Sequence, residues 1–192
     1  MGKKESTLKN MISSLLIITL VASASLAGVY NLTKEPIAAA AKIKTENAIR
    51  QVIPPFDRIE RFAVMPADGP DSLIMYRGYK GDSLVGTAVQ TYSYNGFSGY
   101  IRLMAGFKAD GSINDIAVLE HKETPGLGTK MSEPKFKDQF KNLNIAQLTG
   151  QQVKVTKDQG TIEAITAATI SSRAYCEAVQ RAWENQKKGG EK

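Results

Sequence analysis

An uncharged run of 20 residues near the N-terminus, Met11 to Tyr30, constrains this chain more than any other feature of its sequence. About 20 consecutive apolar residues form a helix that is long enough to cross the hydrocarbon core of a bilayer. Lys3, Lys4 and Lys9 precede the run, and the positive-inside tendency keeps them in the cytoplasm. We therefore predict a cytoplasmic tail at residues 1–10, one transmembrane helix at 11–30 and an extracytoplasmic remainder.

A cleaved signal peptide is the alternative interpretation of the same run. Ala22-Ser23-Ala24 resembles the small-residue site at which a signal peptidase cuts. The apolar core of a signal peptide usually ends after roughly 7 to 15 residues, whereas this run continues to Tyr30. Its length therefore favours an uncleaved anchor.

The charge distribution and the two rarest side chains exclude several classes of function. The formal net charge is +6, but three lysines against one glutamate at each end account for much of it. The nearly neutral body lacks the clustered cations that contact phosphates, so we expect no nucleic-acid partner. Cys176 is the single cysteine, which excludes an intrachain disulfide and predicts a buried, inert thiol. His121 is the single histidine, and a pair with Glu123, two residues on, would be too few ligands for a metal site, so we predict no bound metal.

The residues after the apolar run predict an α+β domain. Alternating β-branched and aromatic residues indicate strands, which lie at 73–79, 84–94, 100–107, 113–119 and 152–156. Helices are indicated at 32–52, with Pro36 in the first turn, at 132–143 and at 170–185. Strands flanked by helices favour α+β over a doubly wound sheet. We assign a helical stalk to 31–55, one domain to 56–186 and a disordered tail to 187–192.

The first segment that indicates chemistry is the loop from His121 to Gly128, HKETPGLG. Pro125 fixes one φ angle, and Gly126 and Gly128 permit positive φ. Such a loop exposes backbone N–H groups and lets a ligand approach the main chain. A tight Pro-Gly connection with no ligand is the alternative.

The second segment is EAITAATISS, residues 163–172, where the last helix begins. Threonine and serine are common N-caps, so helix capping is one interpretation. The other is an anion site, because a helix N-terminus presents unpaired N–H groups and the positive end of its dipole. The spacing alone does not separate these two interpretations.

Glu163 followed by Thr166-Ala167-Ala168-Thr169 resembles the flavinylation motif of FMN-binding domains. That motif runs acidic residue, two variable positions, Ser or Thr, Gly, Ala, Thr. Glu163 stands where Asp is usual, and Ala167 stands where Gly is usual. The 121–128 loop matches a second signature of the same domain. With the N-terminal anchor, the chain resembles the G subunit of the Rnf-type ion-translocating electron transport complex. It is also similar to the C subunit of the sodium-pumping NADH:quinone reductase.

The resemblance implies a covalent cofactor, FMN joined by a phosphoester to the hydroxyl of Thr169. Thr166 would bind the phosphate or cap the helix, beside Ala168. Tyr100 is a candidate for stacking on the flavin ring. Lys154 is a candidate for stabilising the reduced flavin by its charge, with a solvated lysine as the alternative. The remaining implied cofactor contacts lie in the loop: Glu123, Thr124, Gly126, Leu127 and Gly128. We expect no catalytic side chain.

The resemblance also implies a role and partners. The chain would be a redox subunit that couples electron transfer between ferredoxin and NAD to ion transport in the bacterial cytoplasmic membrane. Its partners would be the other membrane subunits, the lipid bilayer and a flavin transferase that uses FAD. A covalent bond suits a domain outside the cytoplasm, where no FMN pool refills a site. Two alternatives remain: a stand-alone flavinylated electron-transfer protein, and an anchored binding or scaffold module without a cofactor.

Overall fold

The computed structural model describes residues 7–186 and 188, and the chain divides into two units, Met1–Ile43 and Lys44–Lys192. Most of the tail predicted at 187–192, and residues 1–6 of the predicted cytoplasmic tail, lie outside the described residues.

Helix α1 (Leu8–Val52) provides all of the described secondary structure of the first unit. Among the described residues it is the one helix that is long and apolar enough to cross a membrane, with a mean hydropathy of 2.1 over 18 residues and none of that window buried. A signal sequence near the N-terminus meets the same criteria of length and composition. The hydroxyl of Thr19 donates to the carbonyl oxygen of Leu15 at 3.0 Å, and that of Thr33 donates to Val29 at 2.8 Å. The helix therefore satisfies these polar side chains without water.

The prediction that a separate helix begins at residue 32 is wrong, because α1 runs unbroken through that position. Pro36 lies inside the helix and not in its first turn. Proline removes one intrahelical hydrogen bond. The four alanines that follow at 38–41 have the highest helix propensity of any residue, which offsets this loss.

Five antiparallel strands form the sheet of the second unit, in the order β1-β2-β3-β4-β5. Short turns connect the neighbours β2 to β5, and Gly81, Gly99 and Gly111 in these turns have positive φ. Sheet and helices together confirm the α+β fold. The bounds are β1 (Arg58–Val64), β2 (Leu73–Lys80), β3 (Ser83–Gly96), β4 (Gly99–Lys108) and β5 (Ile113–His121).

Helix α3 (Thr169–Asn185) and the end of α1 belong to two separate apolar cores of the second unit. Tyr175 and Val179 of α3 pack with Leu103 and Phe107 of β4 in the larger core. Val52 of α1 packs with Met104 of β4 and Leu119 of β5 in the smaller one. A Cβ on Gly106 would lie 1.9 Å from the carbonyl oxygen of Val52, so only glycine allows this approach. Because successive side chains of β4 point to opposite faces of the sheet, this strand contributes to both cores.

The helix predicted at 132–143 is replaced by three short pieces: a 3₁₀ turn (Gly128–Ser132), helix α2 (Pro134–Lys137) and a second 3₁₀ turn (Asp138–Phe140). Proline disfavours the helical conformation of the preceding residue, and Glu133 is extended with ψ 144°. Phe136 and Phe140 nevertheless lie on one side, with ring centroids 5.6 Å apart, and both contact Tyr175.

The strand predicted at 152–156 is also wrong. The segment makes only one isolated parallel bridge, Val155 to Ile162. Val153 and Val155 are buried and their neighbours are exposed, which explains the strand-like alternation in the sequence. The chain then forms a 3₁₀ turn (Thr156–Asp158) and leaves it through Gln159, whose φ is 62°.

Candidate functional site

A cavity of about 290 Å³ lies where the β3–β4 hairpin, the loop after β5 and the start of α3 meet. Both segments singled out in the sequence contribute to its wall, although about forty residues separate them. Six of the ten predicted cofactor contacts line it. The lining residues are Phe97, Glu123, Thr124, Leu127, Gly128, Ala167, Ala168, Thr169, Ile170 and Ser171.

Glu123 joins the three segments around the cavity. It is 5% exposed, and its Oε1 accepts a hydrogen bond of 3.0 Å from the backbone N–H of Ser98. Its Oε2 accepts a short hydrogen bond from the hydroxyl of Ser171. A Cβ on Gly96 would lie 2.7 Å from Oε1, and one on Gly128 would lie 2.6 Å from Oε2, so both glycines make room for the carboxylate. This residue therefore binds protein groups as well as lining the cavity.

The loop between Thr124 and Thr129 uses two of its N–H groups internally. The N–H of Leu127 donates to the carbonyl oxygen of Thr124 at 3.2 Å, and the N–H of Gly126 donates to Thr129 Oγ1 at 2.9 Å. Gly126 has a φ of 74°, as the sequence predicted for a glycine in this loop. The expectation that the loop's N–H groups face a ligand is therefore wrong for these two. Leu127 contributes an apolar side chain, 39% exposed, to the cavity wall.

Helix α3 begins at Thr169, two residues after a strained position. Ala167 has a φ of 61°, a left-handed conformation that costs an L-residue roughly 1–2 kcal/mol relative to glycine. The flavinylation motif has glycine at this position, and the backbone geometry supplies the reason. The N–H of Ser172 is the first to bond within the helix, to the carbonyl oxygen of Ala168 at 3.0 Å. The earlier N–H groups of α3 have no acceptor inside the helix.

The capping interpretation of Thr169 is wrong. Ala168 occupies the N-cap position, and no side chain there bonds to the helix. The turn is instead supported by Ser172, whose hydroxyl accepts from the N–H of Ile165 and donates to Ala168, both at 3.0 Å. Thr169 is half-buried, with its side chain on the cavity. Its hydroxyl oxygen accepts a hydrogen bond of 3.1 Å from the ammonium group of Lys157.

Lys157 is a site residue that the sequence prediction missed, and Lys154 was selected in its place. Lys154 is exposed and lines a different depression, together with Asp158 and Arg173. The hydrogen bond from Arg173 is the main reason why the pKa of Asp158 is lowered, and the charges of both lysines act in the same direction. No sequence pattern separates the two lysines, because the 3₁₀ turn that carries Lys157 has no strong signature.

Two further predicted contacts, Thr166 and Tyr100, also do not line the cavity. Thr166 is exposed and lines an adjoining depression. Tyr100 lies in an aromatic cluster with Tyr92 and Tyr94, at centroid distances of 6.5 and 5.2 Å. The aromatic residue on the cavity is Phe97, 67% exposed at the hairpin tip. The sequence did contain a signal for Phe97, namely an apolar side chain inside a glycine-rich turn.

Comparisons with known proteins give the family. A family model described as an FMN-binding domain matches residues 96–184, a range that includes every residue lining the cavity. The G subunit of the ion-translocating oxidoreductase complex from Methanosarcina acetivorans is 31% identical over 175 residues, or 90% of each chain. The chain belongs to this family of G subunits.

Further relatives agree with this assignment. The G subunit of the proton-translocating ferredoxin:NAD(+) oxidoreductase complex from Clostridium ljungdahlii is 29% identical over 183 residues, covering 95% of this chain and 93% of that one. The crystal structure of Shewanella oneidensis NqrC resembles this family member in fold, with a TM-score of 0.50 and 18% identity over 63% of each chain. The family predicted from the two motifs is therefore confirmed.

The residues around the cavity fit FMN on two observations. Phe97, Leu127 and Ile170 supply apolar surface suited to a flat ring system. On the same cavity, Thr169 offers a hydroxyl beside a cation and the N-terminus of a 17-residue helix, which suits a phosphate.

Proposed function

We propose that this chain is the membrane-anchored flavoprotein subunit of an ion-translocating oxidoreductase, and that its FMN is bound by a phosphoester to Thr169. The contact of the Lys157 ammonium with the hydroxyl of Thr169, which lines a largely apolar cavity, is the observation that carries the proposal. FMN accepts and donates electrons, and the protein supplies its position and surroundings.

The start of α3 stabilises the phosphate end. A phosphodiester on Thr169 Oγ1 keeps one negative charge, which lies next to N–H groups without intrahelical partners and at the positive end of the helix dipole. Lys157 adds a full positive charge at hydrogen-bond distance. The ring end would lie against Phe97, Leu127 and Ile170, between the three segments that Glu123 holds together.

The anchor and the relatives' names supply the rest of the proposal. The names describe ion-translocating complexes, in one case a ferredoxin:NAD(+) oxidoreductase. Helix α1 would then cross the cytoplasmic membrane at residues 11–30 with the domain outside, coupled to further membrane subunits. A flavin transferase would install the FMN from FAD, and the covalent bond would prevent its loss. Purification of the chain with membrane partners, as opposed to alone, would separate this role from a stand-alone electron-transfer protein.

The covalent bond is tested by in-gel ultraviolet fluorescence of the denatured protein from cells that contain the transferase. Wild type should fluoresce, and its intact mass should exceed the apoprotein by one FMN less one water. Thr169→Ala should be dark, whereas Thr149→Ala, at an exposed threonine outside the motif, should keep its fluorescence. A dark wild-type band would refute covalent attachment, and a fluorescent Thr169→Ala band would show that the attachment residue is wrong.

A further inference from the structure

Lys157 has a position that neither the motif nor the family assignment explains. Its Nζ lies 3.1 Å from Thr169 Oγ1, the atom that would bond to phosphorus. An ammonium group is a donor only, so the threonine oxygen is the acceptor in this hydrogen bond. The contact would therefore become stronger if negative charge developed on this oxygen.

The neighbouring residues hold Lys157 against the start of α3. Asp158, the next residue, forms two hydrogen bonds of 2.7 Å with Arg173, which lies one turn after Thr169. The turn is closed behind it by the N–H of Gly160, which donates to the carbonyl oxygen of Val155 at 3.0 Å. A Cβ on Gly160 would lie 2.0 Å from the carbonyl oxygen of Lys154, so this closure requires glycine. The turn is thus docked on the helix, with its lysine above the threonine hydroxyl.

We propose that Lys157 positions Thr169 for flavin transfer and afterwards binds the FMN phosphate; this rests on the proposed attachment at Thr169. In the transfer, Thr169 Oγ1 bonds to the phosphorus of the FMN half of FAD. The phosphorus–oxygen bond to the adenylate half breaks, and AMP leaves with that electron pair. The hydroxyl proton passes to a base of the transferase, and nothing is oxidised or reduced.

The ammonium group acts where the charge develops. As the proton leaves, negative charge builds on Oγ1, and a donor already at hydrogen-bond distance stabilises that charge without reorganisation. After transfer the same ammonium group faces the phosphodiester at the helix N-terminus. Lys154 has an equal charge on the same segment, but it lines a depression that does not contain Thr169.

This difference between the two lysines provides a matched test. Full-length protein is purified in detergent from cells without the transferase and mixed with purified transferase and FAD. The initial rate of in-gel fluorescence is measured for wild type, Lys157→Met, Lys157→Arg and Lys154→Met, with Thr169→Ala as the blank. We expect Lys157→Met to lower kcat on the order of ten-fold, less than the hundred-fold or more of a buried oxyanion donor, because Lys157 is exposed.

We also expect the KM of Lys157→Met as protein substrate to stay near the wild-type value. Lys157→Arg should recover most of the rate, and Lys154→Met should react at the wild-type rate. Wild-type kcat in Lys157→Met, or an equal loss in Lys154→Met, would overturn the role of Lys157. A rise in KM alone would also overturn it, because it would indicate contact with the transferase and not with Thr169. A fluorescent Thr169→Ala would instead refute the attachment site, so the two failures are distinguishable.

Discussion

Replacing Glu123 with alanine tests how the cavity is held together. Its carboxylate accepts hydrogen bonds from Ser98 and Ser171, and each bond to a charged group contributes about 1.5–3 kcal/mol. Removing a buried carboxylate, for which the described residues give no ion-pair partner, relieves a desolvation cost that offsets part of this. We expect a net loss of about 3 kcal/mol, and at about 2–4 °C per kcal/mol the melting temperature should fall by about 10 °C.

Two further variants make that measurement specific, with thermal unfolding of the FMN-free protein followed by circular dichroism. Glu120→Ala removes a carboxylate from β5, three residues before Glu123, where it pairs with Arg102 at 2.8 Å while half exposed. Such a pair contributes less than about 1 kcal/mol. Glu123→Gln keeps an acceptor for Ser98 and can donate to the Ser171 oxygen, so it should lose less than half as much as alanine. If Glu123→Ala melts no lower than Glu120→Ala, Glu123 does not join these segments.

Three other substitutions probe strain, burial and charge. Ala167→Gly should raise the melting temperature by about 2 °C, because relief of the left-handed strain slightly exceeds the entropy cost of glycine; a decrease would contradict this. Tyr175→Phe should stabilise the domain by about 1 kcal/mol in denaturant unfolding, since the buried hydroxyl has no hydrogen-bond partner among the described residues. Desolvation raises the pKa of Asp115, but hydrogen bonds from Gln51 and Lys137 outweigh it and lower the pKa overall. Its stabilisation is therefore present above about pH 4 and lost as the pH falls through the lowered pKa, so Asp115→Asn should flatten the acid decline in melting temperature.

The strands from β2 to β5 were predictable because β-branched and aromatic residues alternate along them. All four strands from β2 to β5 were predicted within two residues of their observed ends. The same rule failed at Val153 and Val155, which are buried alternately but have no neighbouring strand to pair with. The helix predicted at 132–143 failed for a local reason, since Pro134 keeps Glu133 extended. Alternation of apolar residues in the sequence indicates which side chains are buried. It does not indicate which strands pair, because pairing depends on segments that are distant in the sequence.

The site was predictable only where a motif specified it. The resemblance selected Thr169 and the loop from Glu123 to Gly128, and the structure brings these together at one cavity. It did not select Phe97 or Lys157, because their places depend on how a hairpin and a 3₁₀ turn dock on other segments. Tyr100 was a reasonable choice by residue type, but its ring packs in the cluster with Tyr92 and Tyr94 and does not line the cavity.

The size of the cavity gives the proposed covalent bond a physical reason that does not depend on where the domain is located. At about 290 Å³ the cavity is at the small end of ligand sites, which enclose most of a bound molecule. Phe97, Leu127 and Ile170 are all partly exposed, so a ring held between them would keep one edge in solvent. We expect such a site to bind FMN weakly without a tether, whereas the proposed ester to Thr169 would keep the ring at a high effective concentration. The open edge of the ring would then remain available to a redox partner. A deeper pocket would bind the ring more tightly, but it would cover that edge.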